Sequence, residues 1–376
     1  MTTKTNFQTI VWGISHLPEL LAQAGATKVL LVVDASFPFL SIEKQVQEMP
    51  VPFVVFDQFS PNPLYEDVCK GVDCFCQHKC DAIVAVGGGS SIDVAKCIKL
   101  YCRLDPSVNY LQQECVDSGI PLIAIPTTAG TGSESTRFAV IYFEGKKQSV
   151  NHLSIIPTFA LMEPEVLYTL PRYQKASTAL DALCQGIESW WSVNSTAESQ
   201  QLSKKAVGVL WKNIRQYVDG TGNSVDESQL AASVMKAANL AGQAINLTQT
   251  TAPHAFSYKI TSLFKVPHGH AVAVCLPKIW QYMIAHPELC IDPRGKEYLM
   301  NVFYDIAQAM GCSTPQQAVE EFEAMMMSLA MPNPVSKNRA DDIQLLSQSV
   351  NPVRLKNNPV QLSQEAIGSL YELIVS

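Results

Sequence analysis

Asp181 and Gln185 stand four residues apart in DALCQGIE, a stretch with helical apolar spacing, so both side chains fall on one helix face. His254 in TTAPHAFSY and His268 in PHGHAVAV have equally apolar surroundings, where a polar group lacking a partner is costly. One carboxylate and two imidazoles can bind a divalent transition metal and leave a coordination position open, and the Gln185 amide oxygen is a candidate fourth donor. Such an ion acts as a Lewis acid on a carbonyl or alkoxide oxygen. Each histidine taken singly reads more simply as a core or turn residue. The metal reading rests on combining them with a second kind of site.

That second site is Gly87–Lys96, GGGSSIDVAK, which follows an apolar run and opens a helical one. Glycines let the backbone approach a ligand closely, and the N–H groups and dipole of the following helix are directed at an anion such as a pyrophosphate. Thr127–Glu134, TTAGTGSE, is another hydroxyl- and Gly-rich exit from an apolar run and offers further donors to phosphate or ribose. One such loop can be a mere turn; two at neighbouring strand ends point to a dinucleotide. Asp34 ends the first strong apolar run. There it either reads the ribose hydroxyls and repels a 2′-phosphate, favouring NAD, or caps the next helix.

These groups need elements to hold them. Lys28–Val33, Phe53–Phe56, Ala82–Val86 and Leu122–Ile125 are short β-branched runs, each followed by turn residues and a helix-like segment. This is the βα signature of a mostly parallel sheet, which places ligands beyond the carboxyl ends of its strands. From about residue 171 the periodicity turns helical, over Ser177–Ser192, Leu230–Asn246 and Pro315–Ala330, with loops expected at Thr221–Ser224 and Met331–Pro334. Two domains follow, α/β over residues 1–170 and all-α over 171–376, with the crevice between them as the default ligand site.

Composition narrows the function classes. The chain has 376 residues, 47% hydrophobic and 16% charged, enough for two cores. A net charge of −7 offers no basic stripe for nucleic acid. The 11 cysteines are scattered, and Cys74, Cys76 and Cys80 have no second cluster to complete a zinc site. They are expected on a helix as small apolar residues with free thiols. With no secretory h-region and no apolar run long enough to span a bilayer, a cytoplasmic protein with no membrane partner is expected.

GGGSSIDVAK at 87–96, PTTAGTGSE at 126–134, DALCQGIE at 181–188 and the His254 and His268 segments, in that order, together resemble the iron-containing (group III) alcohol dehydrogenase family, relatives of glycerol dehydrogenase and dehydroquinate synthase. The resemblance covers essentially the whole chain. It implies a Rossmann-like domain that binds NAD(P)H and a dehydroquinate synthase-like helical domain that holds one divalent metal, Fe2+ or Zn2+, in a homodimer. Carried over by position, Asp34, Asn62, Gly88, Gly89, Ser90, Asp93, Thr127, Thr128, Thr131 and Lys147 are implied cofactor contacts, with NADH preferred because of Asp34. Asp181, His254 and His268 are implied metal ligands.

The chain departs from the family pattern where a fourth ligand is usually histidine and Gln185 stands instead. An amide is a weaker donor than imidazole toward such metals. Tyr258 stands where the family often has a histidine, and Tyr258 or His270 is the expected proton donor, with orientation of a neighbour as the equal alternative for His270. The expected reaction is reduction of a small aldehyde to an alcohol. Segments 133–142, 250–274 and 351–359 resemble the branch that reduces phosphonoacetaldehyde to 2-hydroxyethylphosphonate, whose dianion calls for cationic and amide donors. Arg137 and Arg354 are the candidates, with Lys356, Asn357 and Asn358 nearby; structural bonds to loop carbonyls are the alternative for both arginines. A general short-chain alcohol or diol dehydrogenase, a non-redox dehydroquinate synthase-like lyase and a weakened binding protein remain as other readings.

Overall fold

The computed structural model describes residues 2–4, 8–220 and 224–376. It divides into two compact units, Met1–Leu170 and Pro171–Ser376. Among the described residues no helix is long and apolar enough to cross a membrane.

The first unit is built on a seven-stranded sheet: β1 (Thr2–Lys4), β2 (Thr9–Trp12), β3 (Val29–Val33), β4 (Phe53–Phe56), β5 (Ala82–Gly87), β6 (Leu122–Pro126) and β9 (Phe159–Met162). Their spatial order is β1-β2-β9-β6-β5-β3-β4, with six strands parallel and β1 antiparallel at one end. Every residue of β3, β5, β6 and β9 is buried, which is why these strands read as unbroken apolar runs. Helices α1 (Leu17–Gln23), α2 (Glu43–Gln47), α3 (Tyr65–Gln77) and α4 (Gly89–Tyr101) connect them. Val68, Val72 and Phe75 of α3 and Ile92, Ala95 and Ile98 of α4 pack against Leu30, Val32, Ile83 and Ala85. A separate antiparallel hairpin, β7 (Phe138–Phe143) and β8 (Lys146–Asn151), turns at Glu144 and Gly145, both with positive φ.

Register decides the function of this sheet. Gly87 of β5 pairs with Pro126 of β6, and Val33 of β3 pairs with Val86 of β5. The three strands therefore end together, and Asp34, the GGGSS turn and Thr127 emerge side by side.

The second unit is helical: α5 (Arg172–Trp191), α6 (Ala197–Asp219), α7 (Ser224–Thr248), α8 (Ala252–Phe264), α9 (His268–Ala285), α10 (Lys296–Ala309), α11 (Pro315–Ser328), α12 (Arg339–Ser349), α13 (Pro352–Leu355) and α14 (Gln364–Ile374). Helix α5 is its centre: every residue from Ala176 to Trp191 is buried, against α6, α7 and α9. Trp191, Trp280 and Phe303 meet edge to face at centroid distances of 5.6, 5.9 and 6.1 Å.

Three local expectations are revised. Cys74 and Cys76 end α3, but buried Cys80 lies beyond that helix, so the trio does not share one helical surface. Among the described residues they join no metal-ligand cluster. The loop expected at Thr221–Ser224 lies outside the described residues except Ser224, which already begins α7. Asp34 caps no helix: its Oδ1 accepts from the N–H and hydroxyl of Ser36 at 2.9 and 2.5 Å, a local turn closed on itself.

Candidate metal centre and cofactor loops

Helix α8 stops at Lys265, whose φ of 57° turns the chain sharply, and α9 starts three residues later at His268. This short turn sets His254 and His268 ring to ring, with centroids 5.3 Å apart. Asp181 of α5 completes the group, and one donor atom from each of the three residues lies within 4.8 Å of the others. His254 Nε2 is 3.4 Å from Asp181 Oδ1. Asp181 and His254 are buried and His268 is partly exposed, so the cluster has one open side.

Gln185 faces the same group. Its Nε2 donates to Asp181 Oδ2 at 3.3 Å, so it steers that carboxylate directly. The ring of Tyr258 lies flat against His268, with centroids 5.9 Å apart and planes at 14°, and Ser257 Oγ is 3.4 Å from His268 Nδ1. Gly269 is where α9 meets α5: a Cβ there would sit 2.0 Å from the carbonyl oxygen of Ser177 and 2.8 Å from Asp181 Cβ. Only glycine allows that approach.

The electrostatics favour a cation. Burial alone would push His254 down, yet Glu188 and Asp181 hold its imidazole up, to about 9. Two buried carboxylates, Asp181 and Glu188, flank that one ring. A divalent ion among these oxygen and nitrogen donors satisfies the same charge, and the donor set fits it.

His270 points elsewhere. Its Nε2 is 2.8 Å from the carbonyl of Pro332, which can only accept, so Nε2 carries the proton and Nδ1 accepts from Tyr173 Oη at 2.7 Å. With its backbone N–H donating to Ser177 Oγ, it ties α9 to α5 and to the segment after α11. Both ring nitrogens are occupied, and burial lowers its basicity. These contacts favour the orienting reading of His270 over proton relay.

In the first unit the two Gly-rich loops touch. A Cβ at Gly88 would lie 3.6 Å from Thr128, and one at Gly89 only 3.0 Å from Thr131. Gly88 caps α4, and Ser90 Oγ accepts from the N–H of Asn62 at 3.4 Å, bringing a third segment to the same edge. Asp34 Oδ2 accepts from Ser91 Oγ at 2.9 Å. Asp93 is already engaged, accepting from Ser133 Oγ at 2.6 Å and from the N–H of Val140 at 2.9 Å, with Lys147 close enough to act on its charge. Arg137 begins the hairpin with its guanidinium 5.3 Å from the Phe138 ring centre. Arg354 belongs to the second unit, where its Nη1 donates to Gln249 Oε1 at 3.3 Å beside the start of α8.

Two residues had drawn no notice as sequence. Lys96, fully buried in α4, donates to Ser133 Oγ, Thr136 Oγ1 and the Phe138 carbonyl at 3.0, 3.1 and 2.8 Å, pinning the second loop; burial lowers its pKa to about 8. Glu188, fully buried in α5, grips α8. The available signal for both was a charge set among apolar neighbours, Val94, Ala95, Cys97 and Ile98 around Lys96 and Cys184, Ile187 and Trp191 around Glu188, because such a charge requires an internal partner.

Residues 10–164 match the family model described as iron-containing alcohol dehydrogenase, and residues 175–375 match the C-terminal model of the same family. A phosphonoacetaldehyde reductase of Streptomyces viridochromogenes is 32% identical over 304 residues, 78% of this chain and 75% of that one. An iron-containing alcohol dehydrogenase from Thermococcus thioreducens superposes with a TM-score of 0.87 at 24% identity, covering 98% of both chains. A sulfoacetaldehyde reductase from Bifidobacterium kashiwanohense, in complex with NAD+, gives 0.86 at 24% identity over 100% of this chain and 98% of that one.

Proposed function

Because this chain belongs to the iron-containing alcohol dehydrogenase family, and so is an oxidoreductase acting on alcohols and aldehydes, we propose that it uses NADH and one divalent metal ion to reduce a small aldehyde bearing a phosphonate group. The Asp181–His254–His268 cluster carries this reading. The reductase at 32% identity supports the substrate, and the fold neighbour in complex with NAD+ supports the cofactor.

Asp181, His254 and His268 would hold the ion, which supplies a Lewis acid for the carbonyl oxygen. The nicotinamide supplies the hydride, and that chemistry is the cofactor's own. The protein's residues do the rest. Gly88 and Gly89 leave room at the head of α4 for the pyrophosphate, with Thr128 and Thr131 against them as hydroxyl donors. Tyr258, lying on His268, is assigned as the donor whose Oη proton converts the new alkoxide to alcohol. Gln185 acts on the ion through Asp181, whose orientation it sets. Because imidazole binds such ions better than an amide does, Gln185→His should tighten retention against a chelator by about 10–100-fold. Equal loss of metal from wild type, Gln185→His and Gln185→Ala would show that position 185 does not act on the ion.

Asp34 would read the ribose. The carboxylate keeps acceptor capacity beyond Ser36 and Ser91. Asp34→Gly should raise the NADPH-to-NADH ratio of kcat/KM by roughly 10–100-fold, the worth of one charged hydrogen bond. A ratio that stays put removes this role.

Arg354, on α13 packed against α8, is the cation assigned to the phosphonate. Arg354→Gln should lower kcat/KM for phosphonoacetaldehyde by about 10–100-fold while changing propanal little. An equal loss on both aldehydes would leave Arg354 as a structural tie to Gln249 and remove the phosphonate assignment.

A further inference from the structure

We propose that Glu188 is the positioning residue of the metal centre: a single carboxylate carried by α5 that anchors the first turn of α8 and fixes which ring nitrogen of His254 is presented to Asp181. This rests on the reading that Asp181, His254 and His268 hold a divalent ion.

Glu188 is fully buried. Its Oε1 accepts from the N–H of Thr251 at 3.1 Å, the hydroxyl of Thr251 at 3.0 Å and the N–H of His254 at 3.2 Å. Its Oε2 accepts from Nδ1 of His254. Thr251 is the N-cap of α8 and His254 its third helical residue, so two N–H groups that a helix start leaves without internal partners are met by one carboxylate from another helix. Thr251 makes no cap with its own side chain. Its hydroxyl accepts from Trp191 Nε1 at 2.9 Å and passes its proton toward Glu188. Gln249, two residues before Thr251, has a positive φ of 61°, so the chain enters this turn in a conformation that its surroundings must hold.

The consequence for the ion is directional. A carboxylate only accepts, so Nδ1 of His254 keeps its proton and the free lone pair of the neutral ring is on Nε2, the nitrogen 3.4 Å from Asp181 Oδ1. One side chain thus selects tautomer, ring orientation and helix start together.

Glu188→Gln separates this from a purely structural cap. The amide oxygen can still serve Thr251 and the His254 N–H, but the amide NH2 donates to Nδ1 where the carboxylate accepted. The ring is then driven to carry its proton on Nε2, against the ion. The variant should keep the wild-type circular dichroism and lose zinc affinity by about 10–100-fold in competition with a chromophoric chelator. Its cobalt-substituted form should show an altered ligand-field spectrum. Wild type that binds zinc alongside a Glu188→Gln protein with equal affinity and an unchanged cobalt spectrum would overturn the positioning role. Wild type that binds no zinc would overturn the metal reading instead. If Glu188→Gln does not fold, zinc-loaded wild type labelled with 15N-histidine decides: His254, assigned through His254→Asn, must show a protonated Nδ1 and a metal-bound Nε2, and the reverse arrangement overturns the proposal.

Discussion

His268→Ala is expected to lose bound metal and aldehyde reduction together while keeping its fold. His268 offers one of the three clustered candidate donor atoms, it is only partly buried, and it sits at the first position of α9, where an alanine is well tolerated. The apolar anchors of that helix lie further along, at Val272, Leu276, Ile279 and Trp280, and none of them depends on the imidazole. A Lewis acid at a carbonyl oxygen is worth several kcal/mol of barrier, so activity should fall by about 10³-fold or more. Metal content per chain should fall in the same preparation, and the helical signal should not change. A His268→Ala protein that retains a full complement of metal would remove this residue from the ligand set.

Gly269→Ala should do nearly as much without touching a donor atom. The new methyl would sit 2.0 Å from the Ser177 carbonyl oxygen, which is backbone, and 2.8 Å from Asp181 Cβ. Neither can swing away as the end of a flexible side chain could. Helix α9 must move off α5, carrying His268 away from Asp181. Overpacking of this kind typically costs about 1–3 kcal/mol, so Tm should drop by several degrees and metal affinity by more than stability alone explains. Gly208→Ala is the matched control, since its Cβ would meet nothing nearer than a carbonyl oxygen at 3.8 Å and a helical Gly→Ala exchange normally stabilises by up to about 1 kcal/mol. If Gly269→Ala binds metal as Gly208→Ala does, the close approach of α9 to α5 does not set the site.

The parts of this protein that could be read from sequence are those where burial leaves a one-dimensional mark. Strands β3, β5 and β6 are buried along their whole length and run into Asp34, the glycines from Gly87 and Thr127, so composition and punctuation both announce them. The β7–β8 hairpin was missed: its inward residues Ala139 and Ile141 alternate with half-buried Val140 and Tyr142, and β8 is mostly polar, which blurs the period of two. The grouping of Asp181, His254 and His268 was legible because few residue types bind metals. Glu188 lies one turn beyond Gln185 in the same motif and went unremarked, since a glutamate in a helix usually means solvent. His270 is ambiguous as sequence for the opposite reason. Histidine suggests proton transfer, whereas its partners, Tyr173 and Pro332, are far away in sequence and commit both nitrogens.

The most direct test of a metal- and NADH-dependent aldehyde reductase is one comparison. The protein is stripped with a chelator and divided, half is reloaded with Fe2+ or Zn2+, and consumption of NADH is followed with phosphonoacetaldehyde, propanal and lactaldehyde. The account predicts turnover only in the reloaded half, with kcat/KM for phosphonoacetaldehyde highest by about 10-fold or more, as a charge-assisted contact to the phosphonate requires. Equal turnover in the stripped half, or no NADH consumption with any aldehyde in the reloaded half, would contradict it.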